Sequence, residues 1–271
     1  MSLIKEIKNE AKKNRTKIQN TEEREIETKL NKLFYLEKDI KHELQFLKSV
    51  MTRGQATQER KGLHASAIIT SDNKFCYRQQ VLSLFYKQLQ GEQNSVGLRR
   101  IFAEGDAIHE KWQRLFIRGG YADPLDCDFS RIAEQYDLSY TPDIMAYIDG
   151  QEYVVEIKSV NTYAYKKENE HLSGKKQCML YMYLTDTEKG FVLQEDKNTQ
   201  DFRIDVYSLD MKLLEPYIKR LENIQKYKQN LIKNHKMVAR HKKCTGYNCK
   251  MAESCPMKDV CYGRSRERLD E

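Results

Sequence analysis

Between residues 141 and 158 the chain reads Thr-Pro-Asp-Ile-Met-Ala-Tyr-Ile-Asp-Gly-Gln-Glu-Tyr-Val-Val-Glu-Ile-Lys. Two alternating, partly β-branched runs flank Asp149-Gly150, and that dipeptide is the strongest short-range signal for a two-residue hairpin turn. A turn there sets Ile148 opposite Gln151, Ala146 opposite Tyr153 and Ile144 opposite Val155. It also brings Asp143 opposite Glu156. Strand alternation then puts Ile144, Ala146, Ile148, Tyr153, Val155 and Ile157 on one face, suited to a core. Asp143, Glu156 and Lys158 fall on the other.

Directly opposed carboxylates have Cβ atoms roughly 5 Å apart and repel one another. A hard divalent cation such as Mg²⁺ or Mn²⁺ is the natural compensation. A lysine beside such an ion can orient water or meet charge developing on a phosphate. Glu-x-Lys alone is an ordinary exposed pair. The preceding Pro142, the register and the apolar opposite face make it a candidate site.

Pro142-Asp143 followed by Glu156-Ile157-Lys158 resembles the PD-(D/E)XK signature of restriction-like nucleases. Two further matches resemble the RecB-like branch: Glu104-Gly105-Asp106-Ala107-Ile108-His109 upstream, and Gln177-Cys178-Met179-Leu180-Tyr181 downstream. The resemblance covers about residues 64–261. It implies an α/β, restriction-endonuclease-like fold: a mixed central sheet flanked by helices. It implies a metal held by His109, Asp143, Glu156 and the carbonyl of Ile157, with Asp143, Glu156, Lys158, Gln177 and Tyr181 as the catalytic set. The implied activity is deoxyribonuclease, acting as an exonuclease on DNA ends or single strands in recombination, repair or phage DNA metabolism. The alternative is a catalytically silent DNA-binding or recombination-accessory module of the same fold. Glu104 and Asp106 are further acidic candidates.

Seven cysteines are present, and Cys244, Cys249, Cys255 and Cys261 crowd the tail. Four thiols so close together point to metal binding in a reducing compartment. A local zinc site with all four is one reading, although the usual Cys-x-x-Cys knuckle is absent. The other rests on resemblance to CRISPR-associated RecB-like nucleases and the AddB nuclease domain, where one upstream cysteine joins three downstream around a four-iron four-sulfur cluster. That resemblance implies Cys76, Cys249, Cys255 and Cys261 as ligands, with Cys244 as a substitute. The spacing before Cys255 departs from the family pattern.

Lys and Arg number 47 against 40 Asp and Glu, a net charge of +7 that suits a polyanion such as DNA. No apolar run approaches the ~20 residues of a membrane span. The opening Met-Ser-Leu-Ile-Lys-Glu has no apolar signal core, which leads us to expect a cytoplasmic protein.

Residues 1–60 are expected to form a helical extension, with Leu30, Leu33, Phe34, Ile40, Leu44 and Leu47 at helical spacing, and 51–63 a linker. Such helices would suit docking to a helicase, recombinase or integrase; oligomerisation stays open. Residues 61–271 form the expected nuclease domain, including the cysteine segment 244–261. Within it, helices are expected from near Asp72 through Phe85, over 96–117, 170–184 and 211–234, and strands near 133–140, 143–149, 152–159 and 190–195.

Overall fold

Asp149 and Gly150 both adopt positive φ, 50° and 79°, as a two-residue hairpin loop of type I′ demands. The paired strands have the expected register, with Ile148 against Gln151, Ala146 against Tyr153 and Ile144 against Val155.

The computed structural model describes residues 58–60, 62–86, 88–90, 96–167 and 169–264. All of them lie in Thr57–Glu271, one of the two compact units into which the chain divides. The expected N-terminal helices and their docking role fall outside the described residues. In chain order the elements are β1 (Gln58–Arg60), β2 (Leu63–His64), α1 (Ala65–Ile68), α2 (Tyr77–Phe85), β3 (Gln88–Gln90), α3 (Val96–Arg118), β4 (Arg131–Ala133), β5 (Leu138–Tyr140), β6 (Ile144–Ile148) and β7 (Gln151–Val160). There follow α4 (Thr162–Lys166), α5 (Leu172–Thr185), β8 (Lys189–Asp196), β9 (Phe202–Ser208), α6 (Met211–Asn234), α7 (Lys250–Glu253) and α8 (Lys258–Cys261).

The main sheet has the order β6-β7-β8-β9. β7 and β8 run parallel, and the outer pairs are antiparallel. A parallel pair needs a crossover, and α4 with α5 supplies it. One face of the sheet packs Ile144, Ala146, Val155, Ile157, Phe191 and Leu193 with Ile108 and Trp112 of α3. The other packs Met145, Val154 and Val192 with Cys178, Met179, Leu180 and Met182 of α5. The architecture is therefore mixed α/β with helices on both faces of the sheet.

Three expectations need correction. The face that carries Glu156 is a second core face, because α5 buries Met145 and Val154 there. Residues near 133–140 leave the central sheet and form a separate sheet, β2-β5-β4; Thr141-Pro142-Asp143 interrupts the strand, since proline has no N–H to give a ladder. Leu63, read as linker, is fully buried in β2 beside Leu138. In addition, α2 starts at Tyr77, after a turn over 72–74, with Cys76 at its N-cap.

The expected C-terminal helix is α6. Asp210 caps it by accepting from the N–H groups of Lys212 and Leu213, and Leu214, Leu221 and Ile224 are fully buried. Arg220 is buried as well. It donates to the carbonyls of Ile68 and Thr70 and to the Asp72 carboxylate, so α6 holds the segment between α1 and α2. Among the described residues no helix is long and apolar enough to cross a membrane.

Candidate active site

Pro142 ends one strand and leaves Asp143 at the mouth of the hairpin. The Asp143 Oδ2 accepts from the Ile157 N–H at 2.6 Å across the strand pair. Its Oδ1 lies 3.3 Å from Nδ1 of His109 on α3. Its backbone carbonyl accepts from the Asp128 N–H and from Gln113 Nε2, each at 3.2 Å, and Gln113 also donates to the Asp128 carboxylate at 2.6 Å.

Glu156 is 1% exposed. One carboxylate oxygen meets the Lys158 ammonium. The other, Oε2, is buried and has no hydrogen-bond partner. Lys158 also donates to Gln177 Oε1 at 3.3 Å, and Gln177 Nε2 donates to the Tyr181 hydroxyl at 2.9 Å. Gln177 and Tyr181, one helical turn apart on α5, thus form a prop for the lysine. Asp143, Glu156, Lys158, His109, Gln177 and Tyr181 are brought into one connected cluster. Ile157 is fully buried beside it. Glu104 and Asp106 are exposed on α3.

The electrostatics of the cluster are strained. Burial, and next the charge of Asp143, push the Glu156 carboxyl up to about 8. Burial alone would lower Lys158, but Glu156 and Asp143 outweigh it and hold the ammonium above its ordinary value. Burial likewise opposes protonation of His109, while its hydrogen bond to Asp143 and the two carboxylate charges raise it on balance.

Sequence reasoning missed several supports. Lys111 and Trp112 each donate to the buried Glu195 carboxylate at 2.6 Å, pinning α3 to β8. Gln113, one turn beyond His109, holds the Asp143 backbone. His171 caps α5 by accepting from the Gly174 N–H at 3.0 Å. Burial, and then the neighbouring Lys158 charge, pull this imidazole down. A Cβ on Gly174 would meet His171 Nδ1 at 3.0 Å and Lys158 Cγ at 3.2 Å, so a residue without a side chain lets α5 approach the lysine. A glycine in the first turn of a helix was the available signal.

Among the described residues no three or more His, Cys, Asp or Glu side chains are gathered into a group that could hold a metal ion as they stand. The donor chemistry nevertheless fits a hard cation: an unpartnered buried carboxylate oxygen, a second carboxylate opposite, and an imidazole beside it.

In the tail, Cys76, Cys244, Cys255 and Cys261 line one small cavity together with Arg240 and Tyr262. Cys244, read from the sequence as a substitute ligand, is among these lining residues, and Cys249 is not. Cys249 caps α7, accepting from the Ala252 N–H at 3.4 Å, and its thiol also shares a hydrogen bond with Cys244. Surrounding N–H groups, that of Gly246 foremost, draw its thiol down to about 7. Burial pushes Cys255 up to about 11. Arg78 donates to the Val238 carbonyl at 3.0 Å and Lys243 to Asn73 at 2.9 Å, which ties the tail to the region around Cys76.

No family model and no curated protein matches the chain. Solved structures that resemble it include LHK-Exo, an alkaline exonuclease from Laribacter hongkongensis, in complex with dAMP: 16% identity and a TM-score of 0.45, over 64% of this chain and 91% of that one. SSO0001 resembles it at 13% identity and a TM-score of 0.45, over 82% and 97%. A phage-related exonuclease from Haemophilus somnus 129PT does so at 15% and 0.41, over 65% and 97%. At these scores the functional reading rests on the geometry of the site itself.

Proposed function

We propose that this chain is a metal-dependent deoxyribonuclease that hydrolyses phosphodiester bonds, acting as an exonuclease on DNA ends or single strands. The observation that carries the reading is the buried Glu156 carboxylate. It is opposed by Asp143, joined by Lys158, and keeps one oxygen without a partner.

His109, Asp143, Glu156 and the Ile157 carbonyl would hold Mg²⁺ or Mn²⁺. Such an ion supplies Lewis acidity and lowers the pKa of bound water. The rest is the work of the chain. Asp143 is locked by the Ile157 N–H and by His109. Lys158 keeps its proton, and once Glu156 is engaged elsewhere the ammonium is freed to orient the attacking water or to meet negative charge on the phosphate. Gln177 and Tyr181 hold Lys158 in place and would contact the strand. A net charge of +7 favours the polyanion. The same reading assigns the enzyme to recombination, repair or phage DNA metabolism.

For the tail we propose Cys76, Cys255 and Cys261, with the substitute Cys244 as the fourth, as ligands of a four-iron four-sulfur cluster; the alternative is Zn²⁺ on Cys244, Cys249, Cys255 and Cys261. Its role would be structural, closing the tail onto α2.

The test is end-labelled single- and double-stranded DNA incubated with Mg²⁺ or Mn²⁺ and with wild type, Asp143→Ala or Lys158→Ala. Degradation from ends by wild type alone, with both variants folded, is expected. A folded wild type that binds DNA without cutting it would favour the catalytically silent module and sink the enzyme reading.

A further inference from the structure

β9 is the outermost strand of the main sheet, and among the described residues no strand pairs with its free edge. Edges of this length are commonly kept from other strands by lysine, proline, a bulge or inward-pointing charges, and of these β9 has only the last, in Arg203 and Asp205. β9 reads Phe-Arg-Ile-Asp-Val-Tyr-Ser, with none of the first two, and it pairs with β8 in unbroken register from Phe202 to Ser208. On its α3 side Phe202, Ile204 and Val206 are 52%, 46% and 64% exposed. They continue an apolar groove walled by Leu115, Tyr121 and Tyr153. Arg203 and Asp205 alternate onto the other side of the sheet.

This strand is complementary to itself. Antiparallel pairing of two copies with Ile204 opposite Ile204 sets Phe202 against Val206 and Arg203 against Asp205, in both directions. A one-residue slip puts charged side chains against apolar ones. A two-residue slip sets Arg203 against Arg203 or Asp205 against Asp205, and directly opposed like charges are unfavourable. Only the symmetric register satisfies every position. Within one copy Arg203 already donates to the Tyr165 and Asn169 carbonyls and to Gln194 Oε1, and Asp205 accepts from Gln194 Nε2 at 2.6 Å, so both charges are held in place on the α5 side, where a second copy would set the opposite charge beside each.

We propose that β9 is a self-association edge, through which two copies join antiparallel about Ile204 into one eight-stranded sheet. Such an interface is isologous, with its two-fold axis perpendicular to the sheet. Both α5-covered faces then lie on the same side of the dimer. The two β7 strands are five strand spacings apart, about 24 Å.

The test is sedimentation velocity of the full chain across the micromolar range, with thermal melts to establish that each variant is folded. Wild type is expected to dimerise. Ile204→Lys brings two ammonium groups face to face and should weaken the dimer by about tenfold or more; Val206→Lys, on the same exposed row, gives an independent second reading. Arg203→Asp and Asp205→Arg should each weaken it, and the double reversal should recover it. A wild type that stays monomeric, one that assembles only beyond a dimer, a dimer indifferent to both lysine variants, or a double reversal no tighter than the singles would overturn the proposal.

Discussion

Glu156 has an acid form and a base form that the fold treats very differently. Its carboxyl, ordinarily near 4.5, is pushed up to about 8 by burial and by Asp143. Between those two values the folded chain keeps a proton that the unfolded chain has lost. The folded state binds more protons there, so the stability of metal-free protein falls as pH rises through the window. Thermal melts in chelator should show the midpoint dropping from pH 5 to pH 8, by a loss on the order of a few kcal/mol. Glu156→Gln should flatten that profile and melt higher than wild type at pH 8, and added Mg²⁺ should restore wild type alone. A flat wild-type profile would contradict the buried carboxylate with its one unpartnered oxygen. Gln113 is a positioning residue for the same site, through the Asp143 carbonyl. Gln113→Leu should lower kcat by about tenfold or more with little change in KM, which a purely structural role would not produce.

At the scale of elements, close approach between α5 and the sheet depends on small residues. A Cβ at Gly190 would lie 2.8 Å from the Val154 carbonyl oxygen and 2.7 Å from Cys178 Sγ. The carbonyl is backbone and cannot swing away. Gly190→Ala should therefore cost about 1–3 kcal/mol by overpacking, read as a lowered denaturation midpoint with an unchanged denaturant slope. The hairpin was legible because its signals are local: Asp149-Gly150, and a period of two on either side. The long helices were legible for the same reason, α6 through its period of 3.6 and α3 through the Gly119-Gly120 pair that follows it. The faces were less so. Alternation located Asp143, Glu156 and Lys158 together, but Met145 and Val154 share that face and are apolar, which already marked a sheet covered on both sides. Pairing of β7 with β8, and of Lys111 and Trp112 with Glu195, joins segments far apart in the chain, and no local period records it.

For the whole unit, the tail decides how the chain is closed. Cys244 lines one cavity with Cys76, Cys255 and Cys261, and Cys249 adjoins it through a thiol contact with Cys244. Metal analysis should find iron with sulfide, or zinc, in purified protein. Cys244→Ser should deplete it more than Cys249→Ser, and depletion should lower the melting temperature and expose residues 235–264 to protease. Equal loss in both variants would remove the distinction between the two thiols. The contiguity of the site has a temporal consequence. Asp143, Glu156, Lys158, Gln177 and Tyr181 all lie on the hairpin and the crossover that follows it, whereas His109 arrives on α3 from outside that stretch. Short-range closures come first and cost the least chain entropy. During folding, the carboxylates and their lysine should be assembled before the imidazole docks, and pulsed hydrogen exchange should show β6 and β7 protected ahead of α3.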